Sequence, residues 1–312
     1  MLRNALLYLS SQPRVFNFVR RNRMAKGFAS RFVAGETLDT ALAAVRELNS
    51  QGITATLDLL GESVRNEGEA RESARAYIEM LDRINEGGLL ANVSLKLTAM
   101  GLDISEELCV SNMQDILERA QELKTFVRLD MESSEYTQKT LDLFYDRMYP
   151  SFRGNVGIVL QSYLYRTSAD VEEANREAAR VRLCKGAYKE PASVAYPDKK
   201  DVDDSFVRCM RSLLLNGHYP GIATHDVAMV EATQTFAREN DIASDTFEFQ
   251  MLYGVRRDLQ EKLVRDGYRM RVYVPFGTQW YPYLMRRLAE RPANVAFITG
   301  NIVKELIGRR RS

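Results

Sequence analysis

Histidine and cysteine are scarce in this 312-residue chain: two of the first, His218 and His225, and three of the second, Cys109, Cys184 and Cys209. Two histidines and no HExxH string disfavour a histidine-rich metal centre. The cysteines lack the spacing of a zinc site or a disulfide framework, which fits reduced thiols in a cytosolic compartment. GxGxxG, GxxxxGK[ST] and GxSxG are all missing, which disfavours a Rossmann dinucleotide site and a P-loop. No apolar run is long enough to span a bilayer. Charge of either sign is not in excess. Forty-three Lys and Arg against 42 Asp and Glu leave +1, which removes any whole-protein case for nucleic-acid binding. No stretch rich in proline, glycine or serine divides the chain.

What is present is an ordinary globular balance, 45% hydrophobic and 27% charged. The ends are basic. Residues 1–35 hold Arg3, Arg14, Arg20, Arg21, Arg23, Lys26 and Arg31 and no acid, and the tail closes on Arg309, Arg310 and Arg311. Helical apolar spacing at Leu2, Leu6, Leu7 and Leu9 suggests a helical cap on the domain. A basic amphipathic helix on an anionic membrane is a second reading and a cleaved presequence a third. Residues 1–40 are thus read as an N-terminal helical extension and 41–312 as one further domain. From residue 38 a helical pattern (Leu38, Ala41, Ala44, Val45, Leu48) leads into alternation. Short β-like runs at 54–60, 92–98, 126–131, 156–161, 180–184, 221–225, 246–250 and 270–274 are separated by helical stretches. Strand–helix alternation implies a parallel sheet. Eight units in about 250 residues predict an α/β fold, a (βα)8 barrel.

Barrel strands are normally near-continuous apolar runs; these are not. Lys96, Arg128, Asp130, Gln161, Arg180, Arg182, Lys185, Thr224, His225, Glu248, Gln250 and Tyr273 interrupt them, many near C-terminal strand ends, where barrels carry their active sites. Singly, each has an ordinary structural reading. Arg128 and Asp130, two apart on one face, make a plausible ion pair, Lys96 can neutralise Asp58 or Glu62, and His225 can cap a strand end. Together they predict a large, polar, net-positive cavity for an anionic cofactor and a small anionic substrate. Tyr283 and Arg286, three apart on a helix, with Arg287 beside them, can present forked donors to a carboxylate or phosphate. A metabolite-binding barrel without activity, or a Schiff-base barrel using Lys96 or Lys185, remains open at this point. No metal site is expected.

With these residues placed, the chain resembles the proline dehydrogenase family, over roughly residues 50–305 and most closely the short monofunctional bacterial form. The strings that carry the resemblance are Leu57-Asp-Leu-Leu-Gly-Glu62, Ser94-Leu-Lys-Leu-Thr98, Arg128-Leu-Asp-Met-Glu132, Val159-Leu-Gln161, Arg182-Leu-Cys-Lys-Gly-Ala-Tyr188, Ala223-Thr-His-Asp226, Phe249-Gln-Met-Leu-Tyr-Gly254, and Tyr273 through Asn294 with Tyr283-Leu-Met-Arg-Arg287 inside it. The resemblance implies a distorted (βα)8 barrel whose eighth helix lies over the mouth. It implies FAD as cofactor and L-proline as substrate. The product would be Δ1-pyrroline-5-carboxylate, formed by hydride transfer from proline C5 to flavin N5. A membrane quinone would be the electron acceptor, with peripheral membrane contact. Lys96, Arg286 and Arg287 would hold the proline carboxylate, while Tyr188, Leu252 and Tyr283 pack the ring. Asp130 would lie beside the substrate, and Tyr273 at its far edge would favour proline over 4-hydroxyproline. Arg182 would sit near flavin N5, with Arg128, Met131, Gln161, Lys185, Gly186, Ala187, Thr224 and His225 as further flavin contacts. Glu62 would pair with Arg286 as a gate. Neither the aldehyde dehydrogenase module nor the DNA-binding segment of the bifunctional proline-utilisation enzymes is expected.

Overall fold

A computed structural model of the chain describes residues 29–61 and 64–290, with side chains as far as residue 285. Eight parallel strands close into a barrel in sequence order. They are β1 Thr54–Leu59, β2 Ala91–Leu95, β3 Val127–Leu129, β4 Val156–Gln161, β5 Arg180–Cys184, β6 Gly221–Ala223, β7 Glu248–Leu252 and β8 Met270–Phe276. The helices are α1 Leu38–Ser50, α2 Glu67–Glu86, α3 Glu106–Glu122, α4 Ser134–Leu143, α5 Tyr149–Phe152, α6 Thr167–Arg176, α7 Lys199–Asn216, α8 Val227–Glu239, α9 Arg257–Arg265 and α10 Trp280–Glu290. The expected (βα)8 architecture is therefore found. A π-helical turn, Phe144–Met148, joins α4 to α5 between β3 and β4.

Local chemistry sets the helix starts. Asn66 accepts from Glu69 N–H while Glu69 reaches back to Arg65 N–H, a reciprocal cap. Ser105 caps α3 by accepting from Leu108 N–H, and Asp226 caps α8 by accepting from Ala228 N–H. The outward strand residues (Ala55, Leu57, Val93, Leu95, Val127, Leu129, Ile158, Val181, Leu183, Ile222, Phe249, Val272, Val274) are buried against the helix layer. They form one continuous core with Leu42, Val45, Tyr77, Met113, Ile116 and Phe206. Because side chains alternate, Asp58, Arg128, Arg182, Glu248, Gln250 and Tyr273 are left to fill the barrel.

Helix α1 buries Ala41, Leu42, Val45 and Leu48, the face its sequence predicts. It starts at Leu38, so the expected boundary at residue 40 falls inside a helix that packs on the barrel. The chain ahead of it is tied to the end of β8. Ala34 N–H donates to Pro275 O and Gly277 N–H to Gly35 O, and Trp280 Nε1 donates to Glu36 Oε1 at 3.1 Å. The basic residues before 29 and the arginine tail lie outside the described residues.

Candidate active site

The lower half of the barrel is a structural polar layer. Arg271 donates from Nε to Glu248 Oε1 at 2.7 Å and from Nη1 to Ala55 O. Burial by itself would raise the Glu248 carboxyl, but the Arg271 guanidinium outweighs it and holds the group below the ordinary carboxylate value. Arg128 lies in this layer too. Its Nη1 donates to Ile158 O and Arg180 O at 3.1 and 2.6 Å, and its guanidinium stacks 4.7 Å from the Phe126 ring. Gly157 makes this possible, because a Cβ there would stand 2.4 Å from Arg180 O and 2.9 Å from Arg128 Nη1. Arg128 does not pair with Asp130, and it does not line the cavity above. Arg128 thus spends Nη1 on backbone carbonyls, while its buried Nε finds no hydrogen-bond partner among the described residues.

Above this layer, Asp130 joins three strands. Its Oδ1 accepts from Arg182 Nη1 at 2.7 Å and from Ser94 Oγ at 2.6 Å, and its Oδ2 accepts from Tyr273 Oη at 2.7 Å. Burial, reinforced by the Asp130 charge, pushes the Tyr273 phenol far above its ordinary value, so it stays a neutral donor. Arg182 also donates from Nε to Gln250 Oε1 at 2.5 Å and from Nη1 to Ser94 Oγ at 3.1 Å, and lies 5.3 Å over the Tyr273 ring. Lys96 Nζ stands 3.6 Å from Asp58, the pairing its position suggests.

At the mouth, Lys185 is gripped by Asp203 at 2.5 Å and Asp226 at 2.7 Å. Gly186 follows with φ +109°, where a Cβ would sit 2.5 Å from the Tyr163 ring. The loop carrying Tyr188 is anchored by Glu190, which accepts from Ser134 N–H at 2.8 Å and from the Ser134 hydroxyl. His225 accepts from Leu252 N–H at 2.8 Å, tying the end of β6 to that of β7. Gln161 donates from Nε2 to Met131 O and Glu132 O.

These elements enclose a cavity of about 530 Å³, a size usual for small-molecule sites. Asp130, Arg182 and Tyr273 form its floor, with Lys96 on one side and Lys185, Gly186, Ala187 and Tyr188 on the other. Met131, Gln161, Thr224, His225 and Leu252 complete the wall, and Tyr283 enters from α10, which brings that helix to the mouth. Arg286 and Arg287 fall on α10, but their side chains are outside the described residues, as is Glu62. Among the described lining residues the formal charges cancel, Lys96, Arg182 and Lys185 against Asp58, Asp130 and Asp226. The net-positive lining expected from the sequence is therefore not found among the described residues. Sequence reasoning missed Ser94, Asp203 and Glu190. Ser94 shares the inward face of β2 with Lys96, a period-two signal that was there to be read; the other two come from segments distant in sequence. Cys184 is half-buried and lines the wall.

Two buried atoms at this wall, Arg182 Nη2 and Gln161 Oε1, find no hydrogen-bond partner among the described residues. A strand-end cavity with a fixed guanidinium, a free amide acceptor and a glycine turn suits a flat heterocycle bearing both acceptors and an N–H donor. The isoalloxazine of FAD is such a group. No group of three or more metal-ligating side chains occurs among the described residues.

Comparison with known proteins gives the same direction. A profile of proline dehydrogenase matches residues 41–300. Proline dehydrogenase 2 of Bacillus subtilis (strain 168) is 45% identical over 289 residues, covering 91% of this chain and 95% of that protein. Proline dehydrogenase of Deinococcus radiodurans is 39% identical over 307 residues, covering 97% and 98%. Among solved structures, proline utilization A from Bdellovibrio bacteriovorus inactivated by N-propargylglycine superposes with a TM-score of 0.81 at 29% identity. The match covers 89% of this chain and 34% of that one, so the chain spans about a third of the larger protein. With a profile across most of its length and full-length relatives at this identity, the chain belongs to the proline dehydrogenase family, oxidoreductases acting on the CH–NH group of proline.

Proposed function

We propose that the chain holds FAD in this cavity and oxidises L-proline to Δ1-pyrroline-5-carboxylate, the electrons passing on to a membrane quinone. The observation that carries the reading is the pair of unpartnered atoms, Arg182 Nη2 and Gln161 Oε1. A buried polar atom left unmet costs about 1–3 kcal/mol, more on a charged group, and a flavin ring meets both. Arg182, Gln161, Met131, Lys185, Gly186, Ala187, Thr224 and His225 would hold the cofactor. When bound, FAD supplies the two-electron acceptor for the hydrogen that leaves C5 of proline with its electron pair.

The chain's own residues position and polarise. Lys96, with Arg286 and Arg287, would anchor the substrate carboxylate, fixing the ring for transfer. Tyr188, Leu252 and Tyr283 would pack against the ring, and Glu62 would gate the approach through Arg286. Both Asp130 oxygens are already committed to Arg182, Ser94 and Tyr273. The task assigned to Asp130 is to hold these groups. The reaction needs a neutral amine, which the charges of Arg286 and Arg287 would favour, and no dedicated base is assigned. Arg182 would face the charge that develops as electrons arrive. Lys185 is paired with two carboxylates and Lys96 with Asp58, which speaks against either as the free amine of a Schiff-base mechanism. Among the described residues no helix is long and apolar enough to cross a membrane. A membrane quinone would then be met at the surface, with the basic chain ends as the contact.

The test is the visible spectrum of the purified protein during anaerobic addition of L-proline. Flavin bands that bleach with proline but not with 4-hydroxyproline bear out the reading and the role of Tyr273. A protein that stays colourless and silent after FAD is added refutes it.

A further inference from the structure

Behind Arg182 a file of buried side chains runs down the barrel axis. Gln250 Oε1 accepts from Arg182 Nε at 2.5 Å, and Gln250 Nε2 donates to Glu248 Oε1 at 2.6 Å. The same Glu248 oxygen accepts from Arg271 Nε at 2.7 Å. Gln250 and Glu248 are 4% and 3% exposed, so water does not substitute for these bonds. A carboxylate can only accept and a guanidinium can only donate. The Gln250 amide therefore has one permitted orientation, N–H2 toward Glu248 and C=O toward Arg182. The reverse would set lone pairs against a carboxylate and N–H groups against a cation. The neighbouring strand leaves room for this amide and nothing more, since a Cβ on Gly221 would stand 2.4 Å from Gln250 Nε2.

We infer that Glu248 and Gln250 are positioning residues for the reaction: Glu248 orients the Gln250 amide, and Gln250 with Asp130 locks the Arg182 guanidinium at the cavity wall with Nη2 left unpartnered. Asp130 and Ser94 hold only one arm of the guanidinium, Nη1. Without the bond at Nε the fork can rotate about that arm, and Nη2 leaves its place. The inference rests on the proposed reading of Arg182 as the cation facing the cofactor. The burial and charge of Glu248 support it, because an oxygen kept anionic by Arg271 cannot turn into a donor.

The test compares wild type with Gln250→Met, Gln250→Glu, and the exchanged pair Glu248→Gln/Gln250→Glu, each as the flavin-loaded protein. The exchanged pair offers Arg182 a carboxylate at 250 in place of the amide carbonyl, and removes the clash of two carboxylates once the amide at 248 turns to give N–H2 to it and its carbonyl to Arg271, since one Glu248 oxygen serves both in wild type. Gln250→Met is expected to lower kcat about tenfold, one charge-assisted hydrogen bond's worth, with KM for proline changed less than about twofold. The two-electron potential of the bound flavin is expected to fall by about 30 mV, the equivalent of that tenfold change. Gln250→Glu alone sets two carboxylates together and is impaired, whereas the exchanged pair recovers kcat to within about threefold of wild type. A readout that needs no flavin is the Arg182 Nε–H resonance of arginine-labelled protein, protected from exchange in wild type and lost in Gln250→Met. Wild-type kcat and potential in Gln250→Met overturn the inference, as does an exchanged pair no better than Gln250→Glu. If wild type itself carries no flavin, the function reading fails, and the Nε–H resonance still decides the lock.

Discussion

Replacing Asp130 with alanine tests the central claim about the upper barrel, that one carboxylate neutralises and orients the arginine at the cavity floor. The Arg182–Asp130 contact is 2.7 Å between side chains only 7% and 13% exposed. Charge centres about 4 Å apart at an effective dielectric of about 20 attract by roughly 4 kcal/mol. Removing one partner of a buried pair costs about 3–5 kcal/mol, since the other charge stays behind uncompensated. Tyr273 lines the cavity, where its hydroxyl regains water, and the buried Ser94 hydroxyl keeps Arg128 O as an acceptor at 3.4 Å, so their lost bonds add little. A loss of about 4 kcal/mol lowers the melting temperature of a chain this long by roughly 8 °C, measured by circular dichroism and by urea unfolding. The decisive comparison is the cycle with Arg182→Met. With both charges gone, Asp130→Ala/Arg182→Met should be more stable than the sum of the single changes allows, by about 2–3 kcal/mol of coupling. An Asp130→Ala protein that melts within 2 °C or so of wild type, or a cycle with no coupling, refutes the reasoning.

Gly186→Ala forces a side chain onto a φ of +109° and against the Tyr163 ring. It should cost about 1–3 kcal/mol and lower flavin content per chain, read from the absorbance ratio of purified protein. Glu248 has its carboxyl held below the ordinary 4.5, so its contribution is complete above that pH and is lost as the pH falls through the depressed value. Glu248→Gln should be less stable at neutral pH and show a flatter acid limb below 4.5 in melting curves against pH. Burial pushes the Cys109 thiol up to about 12 and also raises Cys209, whereas Cys184 lies half-buried on the cavity wall. A thiol reagent at neutral pH should therefore label Cys184 first and Cys109 only on unfolding, as peptide mass mapping would show.

The barrel was legible because eight runs alternate with helical stretches, and the site because charged residues sit in strands that should be apolar. Depth within the barrel was not legible. Arg128 and Asp130 share a face, which sequence periodicity reports. The two-residue step nevertheless carries them from the structural layer to the cavity floor, and that is why one holds backbone carbonyls and the other holds Arg182. The run expected at 246–250 is displaced to Glu248–Leu252. Thr246 and Phe247 are apolar and β-branched enough to look like strand, but they precede the first residue that pairs with β6. The shift puts Glu248 at the lower end beside Arg271. Helix α3 begins at Glu106, where the Ser105 cap sets its start. Partners such as Asp203 for Lys185 come from another element altogether, and one strand's pattern carries no trace of them.

The joint between β1 and β8 has a kinetic consequence. It has six registered residue pairs, from Thr54↔Arg271 to Leu59↔Phe276, more than any other junction in the barrel. It also joins the most distant strands: Thr54 Oγ1 donates to Met270 O across 216 positions. So long a loop must be closed before that contact gives anything back, and folds dominated by such pairings form slowly. At about 5–20 residues per second of synthesis, β8 leaves the ribosome roughly 10–40 seconds after β1. Through that interval the nascent chain can be at most an open seven-stranded sheet, with β1 and β7 offering unpaired edges to any neighbouring strand. Truncation anywhere before residue 270 makes that aggregation-prone state permanent.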